Sequence, residues 1–132
     1  MKRNMAALVI GNAEYPDAGK LVNPVNDAKD VAAKLKQYGF DVLVVTDCDV
    51  AEMDKQLKEF RKLLDTHAVG LFFFAGHGMQ IDGINYLLAL NTKLASESDA
   101  KYSSLPLDKV VDQMAKSQAS TKIIILDACR NN

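Results

Sequence analysis

Four short runs of uninterrupted apolar residues constrain this chain more than anything else in it: Ala6–Ile10, Val42–Val45, Val69–Ala75 and Ile123–Leu126. A strand with one wet face alternates apolar and polar residues. A run without alternation fits a strand covered on both faces. Segments of helical period lie between them. Val31, Leu35 and Tyr38 share one face, with Lys29, Asp30, Lys34 and Lys36 on the others. Asn26 or Asp27 is placed to cap this helix, and Gly39 to end it. Met53, Leu57, Phe60 and Leu64 predict a second helix from about Ala51 to Leu64. Leu107 to Met114 predicts a short third one, with Asp108 early and Lys116 late as the helix dipole prefers. Strands alternating with helices require a parallel sheet, right-handed crossovers and helices on both faces. The expected fold is an α/β three-layer sandwich with a mostly parallel sheet of about four main strands plus a small hairpin.

The hairpin is read from Met79 to Leu90, an extended stretch with Asp82-Gly83 as its two-residue turn. Asn91 to Ser104 is polar and reads as loop. So does the stretch holding Pro16, Asp17, Gly19, Asn23 and Pro24. A length of 132 residues predicts one domain, residues 1–132. At 48% hydrophobic and 25% charged, the chain can build a core without disulfides. A net charge of −1 gives no electrostatic case for nucleic acid or an anionic membrane. No stretch reaches the length of a membrane span. Met5–Ile10 is too short and wrongly flanked for a signal peptide. Cys48 and Cys129 make neither a disulfide framework nor a zinc site, so no metal is expected. A reduced, cytoplasmic setting is the simplest expectation.

Two strand ends carry the candidate chemistry. The third run ends in Gly76-His77-Gly78 and the fourth in Asp127-Ala128-Cys129. Adjacent parallel strands would set these ends side by side, roughly 5 Å apart. In open α/β sheets this is the edge where ligands gather. An imidazole beside a thiol is the minimum equipment for nucleophilic acyl transfer: the base raises the thiolate fraction, and the thiolate attacks a carbonyl. The flanking glycines let backbone approach a substrate closely. The Gly78 and Cys129 amides are the natural donors to an oxyanion. A lone buried cysteine is ordinarily a small hydrophobe, and a histidine between glycines ordinarily a turn residue. Both at one predicted edge make the catalytic reading worth carrying.

Gly76-His77-Gly78, followed about fifty residues later by a cysteine within Asp127-Ala128-Cys129-Arg130, resembles the caspase-type cysteine peptidases. Ala7-Leu8-Val9-Ile10-Gly11-Asn12 with Tyr15, the Leu21 to Asn26-Asp27-Ala28 stretch, and Gly39-Phe40 resemble the bacterial caspase-like, paracaspase and metacaspase branch. The resemblance covers nearly the whole chain, as the large (p20) subunit of that fold. It implies a caspase-like sheet, His77 as general base, Cys129 as nucleophile, and the Gly78 and Cys129 amides as oxyanion hole. Animal caspases carry Gln two residues before the nucleophile and cleave after Asp; here that residue is Asp127. A carboxylate there repels an acidic P1 side chain and attracts a basic one. By the same resemblance Asp27 is the second acidic residue of the S1 pocket, and two carboxylates suit an Arg guanidinium. The implied partners are protein or peptide substrates with basic P1, and a small (p10) subunit or a second copy. No cofactor is implied, except that calcium activates some metacaspases.

The fold sheet of that family has six main strands, two of them in the small subunit, so this portion is expected to be weakly active or inactive alone. The run Ile123–Leu126 should then be central in the sheet or covered by sequence beyond Asn132. Other candidates are weaker. Cys48 has acidic neighbours that should raise its pKa. His67 reads as a solvated loop residue, and Gly19-Lys20 lacks the residues of a phosphate loop. Two rival readings stand beside the enzyme. One is a non-catalytic caspase-fold scaffold or regulator. The other is a flavodoxin-like signalling domain with Asp127 or Asp47 as phospho-acceptor, which leaves Gly-His-Gly unexplained.

Overall fold

The computed structural model describes residues 4–130, with side chains through residue 128. The apolar runs become β1 (Met5–Gly11), β2 (Phe40–Thr46), β3 (Val69–Ile81) and β6 (Thr121–Arg130). Three helices lie where their periodicity puts them: α1 (Pro24–Gln37), α2 (Val50–Leu64) and α4 (Leu107–Ala115). β1 pairs in parallel with β2 and β3, and β3 in parallel with β6. β4 (Ile84–Leu88) returns antiparallel on β3, and β5 (Ser104–Pro106) on β4. Among the described residues the sheet has six strands, mixed in direction at its β4–β5 end. A short helix, α3 (Glu97–Tyr102), precedes β5.

Alternation along β1 and β3 divides the core into two layers. Leu8, Ile10, Phe72 and Phe74 face Met53, Leu57, Phe60 and Leu64 of α2 and Val110 and Met114 of α4. Each such fully buried Leu or Phe contributes roughly 1.5–3 kcal/mol of burial. Ala7, Val9, Leu71, Phe73 and Ala75 face Ala28 and Ala32 of α1. These small residues let α1 settle close to the sheet. A Cβ built on Gly11 would lie 2.3 Å from the Pro24 carbonyl oxygen and 2.6 Å from the Ala28 Cβ. The start of α1 is thereby held against the C-terminal end of β1.

Several expectations are corrected. Helix α1 begins at Pro24, with Asn23 at the N-cap, so neither Asn26 nor Asp27 caps it. Proline suits this first position because its missing N–H would have no helical partner. Gly39, at φ 93°, follows the helix end as expected. The stretch 91–104 is not all loop: Ser96 accepts a hydrogen bond from the Asp99 N–H at 3.1 Å and starts α3. Asp82 and Gly83, at φ 52° and 79°, form the expected hairpin turn. His67 is not a solvated loop residue. Its Nε2 lies 2.8 Å from the Asp41 carboxylate and its Nδ1 2.6 Å from the Leu63 carbonyl.

The position of β6 meets expectation only in part. It is flanked by β3, yet no strand pairs with its other edge among the described residues. Ile123, Ile125 and Leu126 remain 38%, 43% and 41% exposed. No helix of the described residues is long and apolar enough to cross a membrane.

Candidate active site

The strand carrying the histidine runs further than its apolar run. β3 continues through Gly76, His77 and Gly78 to Ile81, so the glycines do not close it. His77 is buried, at 6% exposure, beneath the loop between β1 and α1. Its Nε2 stands 2.8 Å from the Gly19 carbonyl oxygen. A carbonyl only accepts, so Nε2 carries a proton, and in the neutral ring Nδ1 keeps the lone pair. The His77 backbone N–H donates to the Tyr15 hydroxyl at 3.1 Å, and that hydroxyl donates to the Leu88 carbonyl at 2.9 Å. The Tyr15 and His77 rings meet edge to face, 4.7 Å between centroids. A side chain at Gly76 would destroy this arrangement, since its Cβ would fall 2.5 Å from the Tyr15 hydroxyl.

The loop is anchored at its root. Asp47 Oδ1 accepts from the Ala13 and Glu14 amides at 2.8 and 3.1 Å. Asn12 donates through its side chain to the Leu88 carbonyl and accepts from the Cys48 amide. Its own N–H donates to the Ala75 carbonyl at 2.9 Å. Cys48 is buried, and its thiol is pushed up to about 12, first by burial and then by the Glu52 carboxylate. The direction matches expectation; the main cause is desolvation rather than acidic neighbours. Such a thiol is a poor nucleophile.

Asp27 and Asp127 come together. Both line one pocket of about 150 Å³, with Leu21, Val22, Asn23, Pro24 and Gly76. Asp27 sits in the first turn of α1, half-buried, and Asp127 is the exposed ladder partner of Ala75. Neither carboxylate joins an ion pair among the described residues. Cys129 is the ladder partner of His77, Cα opposite Cα; its side chain lies outside the described residues. Gly78 is paired with Arg130 of β6 on one edge and Leu87 of β4 on the other. Among the described residues, no group of three or more His, Cys, Asp or Glu is placed to hold a metal ion.

Sequence reasoning missed Gly19 and Tyr15. Gly19 acts through its carbonyl, which no residue type announces. Tyr15 left a signal, a lone aromatic just past an apolar strand, but nothing in the sequence aims it at His77.

Helices on both faces of a largely parallel sheet, with the His77 imidazole on β3, its ladder partner Cys129 on β6 and two carboxylates in a pocket beside Gly76, define an α/β domain with its candidate chemistry at one sheet edge. The chain belongs to the caspase domain family: the profile of that peptidase family matches residues 4–132. It is similar to the human mucosa-associated lymphoid tissue lymphoma translocation protein 1, 28% identical over 130 residues, covering 98% of this chain and 15% of that protein. The mouse homolog matches at the same identity and coverage. This chain therefore spans about 15% of the length of the curated relatives it matches. Among solved structures, the crystal structure of protein GSU0716 from Geobacter sulfurreducens shares the fold. The TM-score is 0.72 at 22% identity, over 95% of this chain and 50% of that one. The family expected from the Gly-His-Gly and Asp-Ala-Cys-Arg segments is the one found.

Proposed function

We propose that this chain is the large-subunit portion of a caspase-type cysteine endopeptidase that cleaves after Arg or Lys. The observation that carries the reading is the ladder pairing of His77 with Cys129 at the ends of adjacent parallel strands. His77 Nδ1 takes the thiol proton of Cys129, because Nε2–H is committed to Gly19. The thiolate attacks the scissile carbonyl, and the oxyanion forms against the Gly78 and Cys129 amides. The imidazolium returns its proton to the leaving amine, leaving a thioester. Water, deprotonated by His77, then hydrolyses the thioester and releases the carboxylate. Neither a metal nor an organic cofactor enters these steps.

The shared pocket of Asp27 and Asp127 supports a basic P1 residue, since two carboxylates that join no ion pair among the described residues favour a guanidinium or ammonium and repel an acid. The edge of β6 that pairs with no strand among the described residues, with exposed apolar side chains on both faces, supports the need for a further strand from a small subunit or a second copy. The substrates are proteins or peptides met in a reducing, cytoplasmic setting.

The test is a panel of fluorogenic peptides with Arg, Lys, Asp or Asn at P1, given to this chain and to a longer form. Turnover of Arg and Lys peptides, abolished by Cys129→Ala, is expected. Turnover of Asp alone overturns the pocket assignment. Biological effect retained in Cys129→Ala without any change in proteolysis would instead mark a binding scaffold.

A further inference from the structure

We propose that Tyr15 is a positioning residue for His77, its hydroxyl replacing the missing strand rung at the level of the imidazole. The proposal rests on the reading of His77 as the base.

Gly78 pairs with β6 and β4 at once, so β4 lies on the edge of β3 opposite β6. β1 also lies opposite β6. β1 and β4 therefore share one edge of β3 and leave a gap between them. The β1 ladder ends at Gly11↔Ala75, and the β4 ladder begins at Leu87↔Gly78. Gly76 and His77 fall in that gap.

Tyr15 fills it. One hydroxyl accepts from the His77 N–H and donates to the Leu88 carbonyl, tying β3 to β4 across the break. A hydroxyl can accept and donate together; a phenyl ring does neither. The site is closed, with Tyr15 at 2% exposure, and burial holds its phenol well above the usual tyrosine range. Tyr15 is thus no acid or base here. Its ring also meets the imidazole edge to face. The same loop reaches Nε2 through Gly19, so His77 is held at its backbone, its ring edge and its far nitrogen by one segment.

The test is nitrogen-15 NMR of the imidazole rings in the full chain. There are two histidines, and His67→Gln leaves the His77 signals alone. In that background His77 is expected in the single Nε2–H tautomer, with a slowly exchanging Nε2 proton. Tyr15→Phe keeps the ring and is expected to lose that slow proton and to mix the tautomers. Tyr86→Phe, in the same apolar cluster, is expected to change neither. Unchanged His77 signals in Tyr15→Phe overturn the proposal, and so does an equal change in Tyr86→Phe. The unaltered chain gives a second measurement, should Tyr15→Phe not fold. A slowly exchanging Tyr15 hydroxyl proton with a nuclear Overhauser contact to the His77 amide supports the proposal, and its absence overturns it. In a form that cleaves peptides, Tyr15→Phe is expected to lower kcat by roughly 10- to 100-fold with KM unchanged. A longer form, carrying the small subunit, that cleaves nothing overturns the peptidase reading, while the NMR result still decides the role of Tyr15.

Discussion

The Nε2 of His77 and the carbonyl oxygen of Gly19 are hydrogen-bonded at 2.8 Å, so a loop backbone, not a carboxylate, orients the candidate base. Gly19 adopts φ +98°, and a Cβ there would meet nothing within 4 Å. The cost of Gly19→Ala is therefore conformational, about 1–2 kcal/mol. Relief of that strain turns the peptide that carries the carbonyl. Thermal melting of Gly19→Ala should fall only modestly while peptidase activity falls much more. Equal activity in the two proteins would show that the carbonyl does not orient the base.

The two carboxylates of the 150 Å³ pocket should govern P1 choice. Asp27→Asn and Asp127→Asn are each expected to cost about 1.5–3 kcal/mol in kcat/KM for Arg peptides, the range for a hydrogen bond to a charged group. Steady-state kinetics on peptides differing only at P1 measure this. The loss should be much smaller for an uncharged P1. A uniform loss across all P1 residues would place these carboxylates outside recognition.

Gly76 and Gly83 both lie at positive φ, +158° and +79°, but only Gly76 is crowded. A Cβ on Gly76 would come within 2.5 Å of the Tyr15 hydroxyl and 2.8 Å of Phe74 Cζ, whereas Gly83 has open space and φ +79°. Gly83→Ala should cost about 1 kcal/mol. Gly76→Ala should cost about 1–3 kcal/mol or more through overpacking. Urea denaturation midpoints give the order, and Gly83→Ala as the more damaging change would contradict the crowding at Tyr15.

Cys48 should betray itself only at alkaline pH or on unfolding. Its folded pKa, about 12, lies above the ordinary 9.0, so the folded state holds the thiol proton more tightly. Its stabilising effect is whole below pH 9 and is lost as pH rises from 9 toward 12. Cys48→Ala should flatten the start of the alkaline fall in stability, followed by urea titration at several pH values. Part of the slope should persist, because the Tyr15 phenol is also raised by burial. At neutral pH, iodoacetamide and mass spectrometry should find Cys48 unmodified until denaturant is added. Rapid native labelling of Cys48 would refute its burial.

What could be read ahead of the structure followed from burial and local chemistry. The strands β1, β2, β3 and β6 announced themselves because covered faces leave no polar alternation. Asp82-Gly83 announced its turn because two positive φ values select those residues. What was missed depends on partners distant in sequence. The length of β3 beyond Ala75 follows from its pairing with β4 and β6, not from its own composition. β5 is three residues long and follows a six-residue helix, too short for any period to register. Asp27 looked like a cap because the proline that starts α1 stands three residues earlier. Its place opposite Asp127 was implied by family resemblance alone.

The central strand also sets a timetable. β3 is paired in parallel with β1, which leaves the ribosome some sixty residues earlier, and with β6, which follows about fifty residues later. Both pairings close long loops before any hydrogen bond rewards them, the situation that slows folding. During synthesis Leu71 and Phe73 can bury against β1 and α1, but the opposite edge of β3 has to wait for Thr121 onward. The level at which His77 meets Cys129 is among the last rungs of that final ladder. The candidate site therefore cannot assemble on a nascent chain before β6 has emerged, and the buried imidazole of His77 stands without its ladder partner until that strand is in place.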